Sequence, residues 1–333
     1  MPCPTHPYKP FSYVCLLASV PSLLLSLHCF ALEERATCSG IVPARYRNDR
    51  ISITDFGGVG DGRTLNTKAF REAIYRIQHL RWRGGTLLYI PPGVYLTESF
   101  GLLTSHMTLY LARGATIKAT EETWDWPLTA PLPSYGRERD CPGPRYESFI
   151  HGYGLRDVVI TGESGTIDGP GEIWWNMWRW RTLWFTRLSL LEFVNSRGII
   201  ISNMAFWNSP FWNVHPVFCS NVVIRYVTIL APHDSPNTDG IDPDSSNNVC
   251  IEDSFISVGD DRVSVKSGWD EYGIAYGRRS SGITIRRIAG FSPFAAISVG
   301  SETSGGIENV LAENINLFNT GIGIHIKTYI GRR

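Results

Sequence analysis

Short apolar runs rich in β-branched residues recur along most of the chain. Most of them open on a polar residue or a glycine, and a second short run usually follows. The runs cover residues 86–90, 107–111, 157–161, 198–202, 221–224, 248–251, 282–285 and 306–310. The openings at 198, 221, 248, 282 and 306 are 23, 27, 34 and 24 residues apart. A degenerate repeat of this length is typical of a solenoid.

These runs are too short for helices, and helical periodicity is scarce between them, which argues against strand–helix–strand units. One coil of a solenoid cannot bury its apolar face alone, whereas stacked coils share one continuous core. The pattern therefore predicts an all-β, single-stranded parallel β-helix. One elongated domain then replaces the two domains that a length of 333 residues suggests.

One segment near the start of the repeats has the periodicity of an amphipathic helix. Asn66 or Thr67 can cap it, and the predicted helix over 67–80 ends near Arg83-Gly84-Gly85. Its apolar face comprises Ala69, Phe70, Ala73, Ile74 and Ile77. We expect this helix to cover the open first coil of the solenoid.

Residues 121–148 and 174–188 interrupt the repeat. The second interruption is very aromatic, with Trp174, Trp175, Trp178 and Trp180. Tryptophan faces can stack on sugar rings. We favour the other interpretation, in which these rings pack the inserted segment against the solenoid.

The N-terminal segment has the features of a secretory signal. Lys9 is the one charged side chain among the first 32 residues, and small residues precede Glu33. We predict a signal peptide over 1–31, a linker over 32–50 and the β-helix over 51–333. The apolar run is also long enough for an uncleaved anchor, which would hold the protein at a membrane of the secretory pathway.

Charge and cysteine content narrow the possible partners. Lys plus Arg and Asp plus Glu both number 31, so no net field attracts nucleic acid or an anionic membrane. Any polyanionic partner must be held by local basic groups, and we predict neither a nucleic-acid partner nor an obligate protein partner. Four of the seven cysteines lie beyond the signal, which allows one or two disulfides in an oxidising compartment. Their spacings do not resemble those of zinc sites.

Three aspartates recur at the spacing of one coil. Asp239 lies in the segment 237–242, and Asp260 and Asp261 follow Gly259, so 21 residues separate positions 239 and 260. Neighbouring parallel strands lie about 4.8 Å apart, so Asp239 is expected next to one member of the pair. Both members can face one cleft only if the chain bends, and Gly259 makes a bend easy.

Three carboxylates on one face repel one another, and the repulsion raises at least one pKa. A protonated carboxyl beside ionised ones is the pair that glycoside hydrolysis needs. The alternatives are ordinary Asp chemistry in turns and a calcium loop over Asp242, Asp244 and Ser246. The calcium loop is disfavoured because Asn247 and Asp253 stand where it requires Gly and Glu.

Several motifs together resemble the polygalacturonase family, glycoside hydrolase family 28, in its plant-type branch. They are residues 57–62, 66–70, 235–242, 259–261, 265–268 and 326–327. The resemblance extends from about Ile51 to the C-terminus. It implies a right-handed β-helix and a secreted, cell-wall enzyme that hydrolyses α-1,4 links between galacturonates of pectin with inversion. It implies neither a cofactor nor a metal.

The resemblance also suggests roles for individual residues. Asp260 would be the general acid, and Asp239 and Asp261 would hold and activate water. Lys327, His325 and Asn237 would bind substrate, Lys327 through a sugar carboxylate. His325 replaces the family's Arg and carries charge only below its pKa of about 6.5, so its binding would strengthen as the pH falls. The alternative is a neutral His325 that makes an ordinary hydrogen bond.

Besides His325, the sequence departs from the family pattern in three places. The family's Gly-His-Gly after the paired Asp has no His here, and we place the corresponding stretch at 299–302. Arg262 stands where Cys is frequent and could pair with an Asp and lower its pKa. The family continues as Gly-Arg-Gly-Gly where this sequence ends at Gly331-Arg332-Arg333, so we expect the last coils to be missing and stability to be reduced.

Two other functions stay open at this point. A pectate lyase could use a similar solenoid, but it needs a base for the C5 proton and often calcium. A non-catalytic pectin-binding wall protein would fit the missing His, but the intact carboxylates weigh against it. His215 lies one coil before Asp239, and we favour a structural role for it.

Overall fold

The structure, a computed structural model, describes residues 47–80, 84–124 and 126–327. The predicted signal peptide over 1–31, the first four cysteines and the ending Gly331-Arg332-Arg333 lie outside these ranges.

Twenty strands and three α-helices make up this part of the chain. In chain order the strands are β1 (Asp49–Ser52), β2 (Asp61–Leu65), β3 (Thr86–Ile90), β4 (Gly93–Thr97), β5 (Phe100–Gly101), β6 (Met107–Leu111), β7 (Ala115–Ala119), β8 (Leu128–Thr129), β9 (Arg145–Tyr146), β10 (Ile150–Tyr153), β11 (Arg156–Gly162), β12 (Gly165–Asp168), β13 (Leu191–Val194), β14 (Arg197–Trp207), β15 (Val214–Val217), β16 (Ser220–Leu230), β17 (Asn247–Ser257), β18 (Val263–Val265), β19 (Ser280–Val299) and β20 (Ile307–Ile326). The helices are α1 (Thr67–His79), α2 (Gly171–Arg179) and α3 (Asp270–Tyr276), and a short 3-10 helix covers Ile53–Phe56.

The strands stack in parallel into a right-handed β-helix with three faces, as the repeats and the family resemblance predicted. The first face contains β1, β3, β6, β11 and the first halves of β14, β16, β17, β19 and β20. The second face contains β2, β4, β7, β12 and the second half of β14, continued by the later long strands. The third face contains β5, β10, β13, β15, isolated bridges at Ile241 and Asp244, β18 and the ends of β19 and β20. Among the described strands, the pair β8–β9 is antiparallel.

The polar or glycine residue that opens each run has a structural reason. It adopts a left-handed backbone in coil after coil, with φ of 70° at Gly198, 56° at Asn221 and 51° at Asn248. Glycine and asparagine tolerate this conformation better than other residues. The side chains also stack, because Asn248 Nδ2 donates to Asn221 Oδ1 at 2.7 Å. This ladder of turns fixes where each coil begins.

The last repeat interval differs from the prediction. Ile283 pairs with Val310, and Asn309, with φ of 54°, stands one residue before it. The opening that follows Gly282 is therefore Asn309 rather than Gly306, and the interval is 27 residues rather than 24. Gly306 belongs to the turn before the strand.

Helix α1 covers the first coil with the apolar face that the sequence predicted. Ala69, Phe70, Ala73, Ile74 and Ile77 are buried, and the Phe70 ring stacks on Phe100 at 4.6 Å between centroids. The helix ends earlier than predicted, at His79, because Leu80 already has an extended backbone with ψ of 98°. Asn66 occupies the N-cap position, but its side chain holds the preceding loop through Val59 N at 2.7 Å.

The aromatic interruption divides into a buried and an exposed part. Trp174 and Trp175 on α2 are buried, and Trp174 meets Trp126 and Tyr146 edge-on. Packing is thus confirmed for these two rings. Trp178, in the last turn of α2, and Trp180, directly after the helix, are exposed instead.

The ends of the predicted linker and the cysteines also have defined places. Arg47, in the predicted linker, is buried and binds Asp157 at 2.7 Å, and β1 already begins at Asp49.

Cys141 and Cys250 each take part in a disulfide bond, whereas Cys219 is a buried free thiol. No helix in the described ranges is both long enough and apolar enough to cross a lipid bilayer.

Candidate active site

Asp239 and Asp261 stand on neighbouring coils at the beginning of the third face. Gly240 N donates to Asp261 O at 2.9 Å, and Ile241 forms a parallel bridge with Val263. This register places Asp239 next to Asp261, as the one-coil spacing predicted. Both side chains are almost completely buried.

A bend at Gly259 brings Asp260 to the same side. Gly259 N donates to Thr238 Oγ1 at 3.0 Å, and a Cβ on Gly259 would lie 2.2 Å from Ser235 O. Only glycine permits this close approach of the two loops. Ser292 Oγ then donates to Asp260 O at 2.6 Å and fixes the bend from the next coil.

The three aspartates form what we call the carboxylate cluster: Asp239, Asp260 and Asp261. One oxygen of each lies within 4.8 Å of one oxygen of the other two. Burial raises the pKa of Asp260 well above its ordinary value, and the charges of Asp239 and Asp261 raise it further. Burial also raises the pKa of Asp239, although Lys266 opposes that shift. Loss of solvent is therefore the main cause of these shifts, ahead of the mutual repulsion that the sequence suggested.

Lys327 and His325 reach the cluster from the end of β20. Lys327 Nζ contacts Asp261 Oδ2, and its side chain is 20% exposed. Burial lowers the pKa of His325, and the charge of Lys327 lowers it further. His325 Nδ1 finds no hydrogen-bond partner among the described residues. A protonated His325 is thus confined to more acidic pH than the sequence alone suggested.

The side chain of Asn237 is hydrogen-bonded by a buried arginine, Arg187, to which the sequence analysis assigned no role. Arg187 is fully buried and donates to Asn237 Oδ1 at 2.8 Å and to Pro236 O at 2.9 Å. Asp140 Oδ2 accepts from Arg187 Nε at 2.8 Å. Asn237 itself has a left-handed backbone, with φ of 58°. Arg187 therefore fixes the loop that leads into Asp239.

Lys266 is the second residue that the sequence analysis left without a role. Its Nζ lies 3.2 Å from Asp239 Oδ2, 3.3 Å from Asp242 Oδ1 and 3.0 Å from Glu302 Oε2. The signal was present in the sequence as a lysine directly after the buried strand β18. Its partners could not be read there, because Glu302 follows 36 residues later.

Two expectations about neighbouring positions were wrong. The residue stacked on Asp261 is Ala295, whose N donates to Asp261 Oδ1 at 3.1 Å, so the stretch 299–302 does not occupy the position of the family's His. Arg262 forms no ion pair with an Asp among the described residues. It points away from the cluster, is fully buried, and donates to Gly290 O and Asn316 O at 3.1 and 2.9 Å. Burial lowers the pKa of Arg262 to about 10.

The acidic side chains beyond Asp239 already have protein partners. Asp244 accepts hydrogen bonds from Tyr135, from Ser245 Oγ at 2.9 Å and from Gly268 N at 3.0 Å. Asp242 faces Lys266. Asp244 is thus engaged by three donors, and Asp242 by one ammonium group.

A second set of buried charges lies beside the site on the third face. This structural cluster comprises Tyr135, Arg145, Glu192, His215 and Asp244. Arg145 binds both Glu192 oxygens, at 3.0 and 2.7 Å, and His215 Nδ1 lies 2.9 Å from Glu192 Oε1. His215 is enclosed by carboxylates on both sides, since Nε2 lies 3.6 Å from Asp244. This environment agrees with the structural role that we favoured for His215.

The fold and the carboxylate cluster together point to a glycoside hydrolase. The family model "Glycosyl hydrolases family 28" matches residues 136–332, which is more than half of the chain. The protein belongs to this family.

Individual relatives agree with that assignment. The chain is 54% identical over 287 residues to a probable polygalacturonase from Vitis vinifera, an alignment that covers 86% of this chain and 58% of that protein. It is 30% identical to a probable polygalacturonase from Arabidopsis thaliana, over 85% of this chain and 56% of that one. The chain therefore spans little more than half the length of these curated relatives.

Solved structures share the architecture. The hyperthermoactive exopolygalacturonase from Thermotoga maritima superposes with a TM-score of 0.77 at 28% identity, over 89% of this chain and 72% of that one. The family 28 exopolygalacturonase of Yersinia enterocolitica superposes with a TM-score of 0.72 at 24% identity, over 84% and 56% of the two chains. The second likeness supports the β-helix fold.

Proposed function

We propose that the protein hydrolyses α-1,4-galacturonosyl links of pectin by acid/base catalysis with inversion. The observation that carries this proposal is the carboxylate cluster, in which a carboxyl of strongly raised pKa stands beside two others within 4.8 Å. Family membership and the names of the relatives support the same reaction class.

Asp260 is the general acid in this proposal. Its raised pKa keeps it protonated at a pH where an exposed carboxyl would be ionised. A positioned acid of this kind protonates the glycosidic oxygen as the bond to the anomeric carbon breaks. Asp260 is also the least buried of the three aspartates, which leaves it accessible to a substrate.

Asp239 and Asp261 hold and deprotonate the attacking water. Lys266, at 3.2 Å from Asp239, opposes the rise of the Asp239 pKa, and Lys327 contacts Asp261. Inversion follows from the family resemblance. The spacing of the oxygens is shorter than the roughly 6.5–9.5 Å between carboxyls that is typical of inverting enzymes, so the stereochemistry needs its own measurement.

Substrate binding falls to Lys327, Asn237 and His325 in this proposal. Lys327 supplies the local positive charge that a chain of zero net charge needs in order to hold a polyanion. A neutral His325 contributes a hydrogen bond at moderate pH, and it contributes charge only when the solution is more acidic than its lowered pKa.

The test is product analysis after incubation of the protein with polygalacturonate. Hydrolysis releases reducing ends without an unsaturated, ultraviolet-absorbing product, and a chelator does not suppress it. Proton NMR of the first product formed reports the anomer, and the β anomer confirms inversion. An absorbing product would establish a lyase, whereas binding of pectate without any cleavage would establish a wall-binding protein.

We also propose that the protein is secreted to the cell wall after cleavage near residue 31 and that residues 51–333 form one β-helical unit. Disulfide bonds at Cys141 and Cys250 support an oxidising compartment. N-terminal sequencing of the protein from the wall fraction tests the secretion proposal, because recovery of residues 1–31 on a membrane-bound form would contradict it.

A further inference from the structure

Lys266 is the more enclosed of the two lysines that contact the carboxylate cluster. Its side chain is 3% exposed, and its Nζ faces Asp239, Asp242 and Glu302 within 3.3 Å. The Trp212 ring covers it from another side, 4.3 Å from Nζ. Water therefore cannot screen its charge, and its carboxylate neighbours must share it.

Glu302 links Lys266 to the inserted segment that covers the third face. Its Oε2 accepts from Lys266 at 3.0 Å, and its Oε1 lies 2.9 Å from Arg139 Nε. Arg139 is 17% exposed, and its guanidinium stacks on Trp269 at 3.6 Å. A continuous chain of charged contacts thus leads from Arg139 through Glu302 and Lys266 to Asp239.

Asp239 needs such help because it must be ionised in a buried place. Two ammonium groups face it, Lys266 at 3.2 Å and Lys327, which is in closer contact with Asp261. The other charged or titratable groups around this point are Asp242, Asp260, Asp261, Glu302, Arg139 and His325. Most of these groups are acidic, so Asp239 competes with them for the Lys266 charge that opposes the effect of its burial.

The neighbouring coil offers no substitute for Lys266. Ala295, and not a residue of the stretch 299–302, stacks on Asp261 from the next coil. A methyl group supplies neither a proton nor a charge.

We propose that Lys266 is a positioning residue that holds Asp239 in its ionised, water-activating form, and that Glu302 and Arg139 set how much of the Lys266 charge Asp239 receives. The proposal rests on the hydrolase function proposed above. Lys266 acts through Asp239 and does not touch the substrate.

Two opposite substitutions test the proposal without removing the lysine. Glu302→Gln removes a competitor for Lys266, so the acidic limb of the kcat/KM profile on polygalacturonate should move to lower pH. Arg139→Gln frees Glu302 to draw more of the Lys266 charge, so the same limb should move to higher pH. We expect shifts of roughly 0.5–1 unit, the lower end of what a neighbouring charge produces. Arg137→Gln is the matched control, since Arg137 is exposed, lies in the same segment and pairs with Glu271 at 3.6 Å.

Lys266→Met should move the acidic limb of the kcat/KM profile to higher pH by more than one pH unit. However, this variant leaves buried carboxylates without that cation and can fail to fold. The two outer variants therefore decide the matter. If both lower the melting temperature while the limb stays in place, Lys266 is only a structural ion-pair partner and the proposal is wrong.

A readout without catalysis separates this proposal from the proposed function. Carbon-13 NMR of the full chain labelled at the aspartate carboxyls follows Asp239 directly, with Asp239→Asn assigning its signal. Opposite displacements of that titration in Glu302→Gln and Arg139→Gln support the proposal even if no hydrolysis is found. An Asp239 titration that is identical in both variants and in wild type overturns it, whatever the activity.

Discussion

The third face carries two neighbouring sets of buried charges, the structural cluster around His215 and the carboxylate cluster around Asp260. In the structural cluster each ionised group lies within 4 Å of an oppositely charged partner. Arg145 binds both oxygens of Glu192, and Glu192 also meets His215. These partners overcome the effect of burial and lower the pKa of Glu192 to about 2.

Within the carboxylate cluster, Asp260 has far fewer partners than Glu192. Asp260 Oδ1 accepts from the backbone N of Asp261 at 2.9 Å, and no cation is within ion-pair distance of Asp260 among the described residues. Its pKa is raised where that of Glu192 is lowered. Two carboxyls that both lose solvent thus take opposite charge states, because the donors and charges around a carboxylate decide which form is stable. One cluster can therefore hold the fold while the other holds a proton for chemistry.

The largest expected effect separates activity from stability. Asp260→Asn should reduce kcat on polygalacturonate by about 10²–10⁴-fold, the usual contribution of a positioned general acid. Because the raised pKa makes wild-type Asp260 unfavourable as pH rises, the amide should leave the protein at least as stable at pH 7. Initial rates and thermal unfolding check both parts. Asp234→Asn, an exposed residue on the neighbouring loop, should keep full activity, and a large loss of stability in Asp260→Asn would contradict the comparison.

In the structural cluster, removal of a carboxylate should lower stability. Glu192→Gln removes the carboxylate that binds Arg145 at 2.7 Å and leaves only Glu138, 3.6 Å away, so it should lower the free energy of unfolding by about 3 kcal/mol. Glu308→Gln is the matched control, because its pair with Arg279 is exposed on both sides and contributes less than about 1 kcal/mol.

The pH dependence of the same variant gives a further check. The lowered pKa of Glu192 contributes stability above its ordinary value near 4.5, and this contribution disappears as the pH falls towards 2. The difference between Glu192→Gln and wild type, measured by denaturant unfolding, should therefore shrink below about pH 4. A constant difference down to pH 2 would show that packing, and not charge, accounts for the loss.

Much of the fold was predictable because each coil repeats the same local chemistry. A residue that tolerates a left-handed backbone, such as Asn221 or Asn248, precedes a β-branched run whose apolar side chains face the core. Asp239, Asp260 and Asp261 were predictable for the same reason, since the coil length sets their separation. The register between coils was harder to predict from residue spacing. The offset of 34 residues between positions 248 and 282 also relates Asp261 to Ala295, but only the strand pairing shows this correspondence.

The remaining parts of the site depend on contacts between distant segments. Arg187 reaches Asn237 across 50 residues, and Tyr135 reaches Asp244 across 109. The inserted segment that supplies Tyr135 and Arg139 has no repeat pattern, so nothing in the sequence indicates which coil it covers. Such contacts become visible only once the solenoid is built.

A smaller effect is expected at the edge of the structural cluster. Tyr135→Phe removes the hydroxyl that donates to Asp244 Oδ2 and leaves that buried oxygen short of a donor. The unfolding free energy should fall by about 1–3 kcal/mol. Tyr146→Phe is the control, because the Tyr146 hydroxyl has no hydrogen bond to a side chain within the described ranges and the ring packs in the core. Equal losses in the two variants would mean that the Tyr135 hydroxyl contributes no specific support.

The smallest effect concerns the charge of His215 and appears as a dependence on pH. Burial opposes the charge, but contacts with Asp244 and Glu192 outweigh it and raise the pKa of His215. A raised pKa contributes stability that is complete below about pH 6.5 and is lost as the pH rises through the folded-state value. His215→Asn keeps a donor towards Glu192 but cannot titrate, so the free energy of unfolding of wild type should exceed that of the variant most below pH 6.5. This difference in unfolding free energy should decline by on the order of 1 kcal/mol at higher pH. Denaturant unfolding between pH 5 and 9 measures this, with the exposed His79→Asn as control, and an advantage that grows with pH would mean that His215 is neutral in the folded protein.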